Sequence, residues 1–293
     1  MVGGRRDGDG GDATEAEPLG HLEHRRLWRE LPAALLEAGP VDRVELKAIV
    51  DVPLEVAMAV LSAEVLPPVL RRIHYLDTPD LRLTGRGIVV RVRETHRLGG
   101  SSGAEVVVKL RRTRHRRRRR VSGLRIELDA LPTSTIWSAS SHRVLTPRAA
   151  QDGIASTDPA ARLLGSSHRR LVEALGVSSD DLADLVVHGP VDVVRLRSAE
   201  SGNRMGVESW RFPDGSQLVE LSVKCRPEGT GRAVAVVREL LGESRIAVSG
   251  RQVTKTQFAL GVLNGSGNGP LPVPGVVVHG VAHCASASSA STP

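Results

Sequence analysis

The stretch that most constrains the fold runs from Ile73 to Arg93, IHYLDTPDLRLTGRGIVVRVR. Arg72 to Leu76 reads as a short apolar strand. Asp77-Thr78-Pro79-Asp80 is a turn, since Pro sets φ and Asp bonds the backbone beyond it. Leu81 to Thr84 reads as extended, and Gly85-Arg86-Gly87 as a tight reversal. In Ile88 to Glu94 the apolar Val90 and Val92 alternate with Arg91 and Arg93, which predicts a strand with one apolar face and one cationic face. A solvated sheet face usually mixes both signs, so paired arginines point to an anion facing them. The competing reading is a wet, charged outer face.

The pattern recurs. Val41–Val50 is a strand with Arg43, Glu45 and Lys47 on one face. Ala104–Arg112 places Glu105, Val107, Lys109 and Arg111 together, and Leu124–Leu131 places Arg125, Glu127 and Asp129 together. Val186–Arg197, Met205–Phe212 and Gln217–Cys225 are further strands. The first of these carries Arg195 and Arg197, and the last carries Leu218, Glu220, Ser222 and Lys224 on one face. Three strands thus hold a cation pair at i, i+2, while Glu45, Glu127 and Glu220 are single acids on similar strands. A closed antiparallel sheet with these faces inward would be a charged tunnel. So many buried cations require anions, so the tunnel is expected to hold a polyanion, and the acids a divalent metal.

Helices are expected over His21–Glu37, Leu54–Val65 (closed by Pro67-Pro68), Asp158–Leu175, Ser179–Leu185, Gly231–Leu241 and Thr254–Leu263. Residues 133–157, rich in Ser, Thr, Pro and Gly, read as a loop dividing two halves. Residues 1–40 read as a disordered leader with a short helix, 41–263 as the tunnel domain and 264–293 as a disordered tail. Aromatics make up only 2% of the 293 residues, which disfavours recognition by stacking on bases. Arg111–Arg120 contains eight arginines, without which the formal charge falls from +7 to −1; the basicity is one local cluster. Cys225 and Cys284 have no metal or redox spacing, and a reducing, cytoplasmic location is expected. No apolar run predicts a membrane span, and the N-terminus has no secretory-signal pattern. His74, His96, His115 and His168 lack metal-ligand spacing, and Asp77 and Asp80 belong to turn chemistry.

Val-Glu-Leu-Lys at 44–47, HYLDTPDLRLTGRGIVVRVR at 74–93, VVVKLR at 106–111, IELDALP at 126–132, VELSVK at 219–224 and Lys255 resemble the CYTH superfamily, the triphosphate tunnel metalloenzymes. The resemblance spans residues 41–263 in order. It implies an α+β fold, an eight-stranded antiparallel β-barrel tunnel with flanking helices, binding triphosphates with Mg2+ or Mn2+. It implies Glu45 and Lys47 as catalytic signature residues, and Lys47, Arg91, Arg93, Lys109, Arg111, Arg195, Arg197, Lys224 and Lys255 as phosphate ligands. Glu45, Glu127 and Glu220 are the implied metal ligands, with Asp129 a weaker candidate. Arg43 stands where the first signature Glu belongs, and Ser222 where a second acid is common, so two negative charges are missing from the implied metal site.

The expected activity is metal-dependent hydrolysis of a triphosphate, most simply inorganic tripolyphosphate. The alternatives are a non-catalytic polyphosphate- or nucleotide-binding module, and adenylate cyclase-like or thiamine triphosphatase-like activity. The run at 111–120 is expected in a hairpin loop, solvated or steering polyanions towards the tunnel, and is the only expected route to nucleic acid.

Overall fold

The computed structural model describes residues 26–61, 65–112, 123–198 and 204–265. The arginine run beyond Arg112, residues 1–25 of the expected disordered leader and residues 266–293 of the expected tail lie outside the described residues, whereas 26–40 are packed on the barrel, with Leu27, Trp28 and Leu31 buried. Nine strands form a closed barrel: β1 (Arg43–Val50), β2 (Val65–Asp77), β3 (Ile88–Arg97), β4 (Gly103–Arg112), β5 (Arg125–Leu131), β6 (Ser134–Leu145), β7 (Val186–Ser198), β8 (Arg204–Arg211) and β9 (Gln217–Cys225). Their order around the barrel is β1-β5-β6-β4-β3-β2-β7-β8-β9, closed by β9 on β1. Every neighbouring pair is antiparallel except β1 with β5, which is parallel.

The barrel confirms the α+β tunnel fold and corrects its details. It has nine strands rather than eight, and it is mixed rather than wholly antiparallel. The ninth is β6, inside the segment read as a loop. Its inward row is Ser138, Ser140 and His142, which meet a polar interior, so loop-like composition here forms a strand. The rest of that segment contains helix α4 (Pro147–Ile154), capped by Thr146. The expected helix at 54–65 shortens to α2 (Leu54–Ala57) and a 3-10 turn (Met58–Val60). Strand β2 begins at Val65 and passes through Pro67-Pro68, where its pairing with β7 is irregular and needs no amide from proline. The expected helix at 158–175 divides into α5 (Pro159–Leu163) and α6 (Ser166–Ala174), with Leu164 extended between them, and the one at 179–185 is the short α7 (Ser179–Ala183).

Leu81 to Thr84 is not extended. Arg82–Gly85 forms a single helical turn, α3, entered through Leu81 in the left-handed region. The buried Asp77 carboxylate accepts from the amides of Thr78, Leu83 and Thr84 and from the Thr84 hydroxyl, at 2.6–2.9 Å. That closure winds the chain back onto itself. Gly87 is held at φ +76°, and a Cβ there would lie 2.6 Å from the Arg111 carbonyl, so only glycine fits where β3 meets β4.

Helix α1 (Leu31–Ala38) and α8 (Thr230–Glu243) cover the outer apolar rows of β1, β5, β8 and β9. Helices α4, α5 and α6 cover the outer rows of β3 and β4. The inner rows change character along their length. Ile49, Ile73, Tyr75, Val89, Val193, Trp210 and Leu218 are buried with Ala259 and Leu260 of α9 (Lys255–Leu263), closing one end of the barrel with apolar packing. Two residues along the same rows stand Lys47, Arg71, Arg91, Arg195, Glu208 and Glu220. Strand alternation therefore carries one inward face from an apolar plug into a charged chamber.

Candidate functional site

The chamber is a cavity of about 220 Å³. Ten cations line it (Lys47, Arg71, Arg91, Arg93, Lys109, Arg111, Arg125, Arg195, Lys224 and Lys255) against five carboxylates (Glu45, Glu127, Asp129, Glu208 and Glu220). This excess governs what the chamber can hold, because burying unpaired cations is costly and a polyanion offsets that cost.

One acidic group is built by the parallel pairing of β1 with β5, which sets Glu45 beside Asp129. One oxygen each from Glu45, Glu127 and Asp129 lie within 4.8 Å of one another. Lys47 reaches Glu45 at 3.3 Å and Asp129 at 3.0 Å; Lys109 reaches Asp129 at 3.0 Å; Lys224 reaches Glu127 at 2.7 Å. Burial opposes ionisation of Asp129, but Lys109, Lys47 and Arg111 outweigh it and hold the carboxyl well below the usual carboxylate range. Burial likewise opposes the charge on Glu45, and Lys47 and Lys224 bring it below its ordinary value. Lys47, desolvated but flanked by Asp129 and Glu45, is driven upward and stays charged. Glu127 Oε1 and Asp129 Oδ1 are buried oxygens with ion-pair partners but no aligned hydrogen-bond donor. Three clustered carboxylates with spare lone pairs suit a hard divalent cation. The donor set fits Mg2+ or Mn2+.

Glu220 stands outside that group. Its carboxylate meets Lys255 at 2.6 Å, and Lys255 bridges it to Glu208, also at 2.6 Å. Burial raises the Glu220 carboxyl in spite of Lys255 and Lys47. Of the implied metal set, Glu45 and Glu127 thus cluster with Asp129 while Glu220 stands apart, because register on β5 rather than order in sequence brings the third acid in.

Arg43 is exposed, and its guanidinium donates to the Asp42 carbonyl at 2.8 Å, clear of the cavity. The Asp42 carboxylate accepts from the Ile126 amide and tethers β5, so it does not substitute for the missing signature acid. Ser222 is buried opposite Lys47 and Gly206 and does not line the chamber.

Of the implied phosphate ligands, Lys47, Arg91, Arg93, Lys109, Arg111, Arg195, Lys224 and Lys255 all line the chamber. Arg197 does not, although it lies on the same face of β7 as Arg195. Arg91 has no carboxylate partner among the described residues. Arg93 pairs with Glu105. Burial, then Arg91 and Arg71, push the Arg93 guanidinium down to about 8. A guanidinium releases its proton reluctantly, so this repulsion expresses itself as demand for an anion. Arg111 is buried and donates to Thr254 Oγ1 at 2.9 Å; burial lowers it despite Asp129. Thr254, Lys255 and Thr256 bring the start of α9 to the chamber wall, and a capping box of Thr254 with Gln257 fixes that start.

Several chamber residues were not singled out from the sequence: Arg71, His142, Glu208, Trp210, Thr254 and Thr256. Arg71 and Glu208 fall on the inward rows of β2 and β8, so strand parity was the available signal. No comparable signal marked Thr254, because its place depends on how α9 returns to the barrel.

Among solved structures, a candidate adenylyl cyclase from Hippeastrum described as having a dominant triphosphatase activity superposes with a TM-score of 0.58 at 18% identity, over 80% of this chain and 100% of that one. A candidate adenylate cyclase from Bacillus halodurans gives a TM-score of 0.51 at 14% identity, over 74% of this chain and 97% of the other. No protein-family model and no curated protein sequence matches the chain. The barrel, its inward charges and these likenesses define a tunnel fold. It is a CYTH-like fold.

Proposed function

We propose that the chain is a metal-dependent hydrolase of a triphosphate, most simply inorganic tripolyphosphate. One observation carries the reading: ten cations, of which Arg91 has no carboxylate partner among the described residues, share one chamber with a cluster of three carboxylates. The triphosphatase activity described for the Hippeastrum protein supports it. Arg91, Arg93 and Arg111 would grip the phosphate chain through forked or paired N–H donors. Lys47, Lys109 and Lys224 rest on the carboxylates and would turn to phosphate oxygens when the chain enters. Magnesium or manganese on Glu45, Glu127 and Asp129 would supply charge neutralisation and an activated water. The chain's own contribution is positioning and preorganised positive charge around the terminal phosphoryl group.

Trp210 is the only phenyl or indole side chain lining the chamber among the described residues, and Lys255 lies over its face at 5.1 Å. A stacking site for adenine or a thiazole is therefore not built in, which supports a substrate without an organic group.

A second reading, binding without turnover, draws on the lysines that already engage each of the three clustered acids. Phosphate release from tripolyphosphate, ATP and thiamine triphosphate, with Mg2+ or Mn2+, separates the two. Release that requires metal and vanishes in Glu45→Gln supports the hydrolase. Binding with no release from any of them supports the second reading.

A further inference from the structure

Glu208 is the least expected residue of the chamber. It is a buried acid on β8 where the substrate reading calls for cations. One carboxylate collects four partners: Arg71 at 3.0 Å, Arg195 at 3.4 Å, Lys255 at 2.6 Å and the Trp210 indole N–H at 3.1 Å. Its surroundings are those of a bound phosphate oxygen pair, supplied by the protein itself. On this side three cations already have an internal anion. By contrast, Arg91 has none among the described residues, and Arg111 has a hydroxyl partner on one nitrogen and an unpartnered Nε.

We propose that Glu208 sets the length of polyphosphate that the chamber accepts. It neutralises Arg71, Arg195 and Lys255, so the stretch of wall open to an anion ends at Arg91. A further phosphate would have to displace Glu208 or lie against its charge, and like charge at contact distance is a standard means of excluding a wrong ligand. Short chains fit the open stretch; longer chains meet the internal anion. Lys255 supports this division, because it is held between Glu208 and Glu220 and is not free to follow a phosphate without leaving both. The proposal rests on the triphosphate reading and adds its specificity.

The test is calorimetric binding of linear tripolyphosphate and linear hexaphosphate in EDTA, with wild type, Glu208→Gln, and Glu208→Gln combined with Arg195→Gln. Wild type should favour the short chain. Glu208→Gln frees three cations and should shift the ratio of the two dissociation constants towards the longer chain by about tenfold or more. The double variant removes one freed cation together with the acid, which protects folding, and its ratio should fall between the other two. Variants that bind both chains with the wild-type ratio overturn the proposal. So does a Glu208→Gln that weakens both chains equally, since that is the signature of a merely structural role. If wild type binds neither chain, either in EDTA or with Mg2+ in its place, the tunnel reading falls and this inference with it.

Discussion

At the scale of single residues, Glu45 and Arg43 are neighbours on one face of β1 with opposite fates. Glu45 lies in the chamber against Asp129, and Arg43 is exposed on a backbone carbonyl. Glu45→Gln should lower metal-dependent phosphate release by a factor on the order of 100, as loss of a metal-orienting group does. Arg43→Ala should leave release within about twofold, as for an exposed side chain away from the site. A large loss in Arg43→Ala would mean that β1 is displaced by two positions along its row, since a shift by one would turn the whole row outward. Histidine 142 predicts a pH dependence. Burial and then Arg125 lower its imidazole from 6.5 to about 4. Between those values the unfolded chain binds a proton that the folded chain does not, so stability is complete above pH 6.5 and falls as pH drops towards 4. Below that window the depressed carboxyls of Asp129 and Glu208 continue the loss, as pH drops beneath their unfolded values of 3.8 and 4.5. Melting curves across this range should decline towards acid, and His142→Gln should flatten the upper part of the decline only.

At the scale of elements, two short devices position the site. Asp77 ties the turn between β2 and β3 through three amides and a hydroxyl. Asp77→Ala would leave those buried donors unmet and should cost at least about 3 kcal/mol in urea unfolding. Thr254 caps α9 and accepts from Arg111. Thr254→Ala should cost about 1 kcal/mol as a lost cap. It should also weaken tripolyphosphate binding, because Arg111 loses its anchor; a cost in stability with unchanged binding would confine Thr254 to capping. Both elements were partly visible in sequence. The Asp-Thr-Pro turn was legible, but the helical turn after it was not, since a side chain six and seven residues back dictates it. The Ser- and Thr-rich β6 was hidden because its inward face meets polar groups rather than a core.

At the scale of the whole molecule, the chamber stores unbalanced positive charge inside a closed sheet. Tripolyphosphate should therefore raise the melting temperature, by an amount equivalent to about 2.7 kcal/mol at a hundred times its dissociation constant. Added salt should reduce the effect less than it would for a surface patch, because buried pairs are screened weakly. Absence of any rise would mean that the internal carboxylates already satisfy the arginines.

The sequence by itself determined which side chains face inward, because alternation along a strand is local: Lys47, Arg91, Arg93, Lys109, Arg111, Glu127, Arg195 and Lys224 all reached the chamber as their parity required. It also determined the barrel class, since so many inward charges need a closed polar interior. Only the tertiary structure decided which of those charges meet. Asp129 joins Glu45 because β1 runs parallel to β5, a pairing between segments far apart in the chain that no local period encodes. Glu220 is drawn away to Lys255, and Glu208 becomes an internal anion, for the same reason. Period sets the face; register across the barrel sets the neighbour, and here the neighbour sets the chemistry.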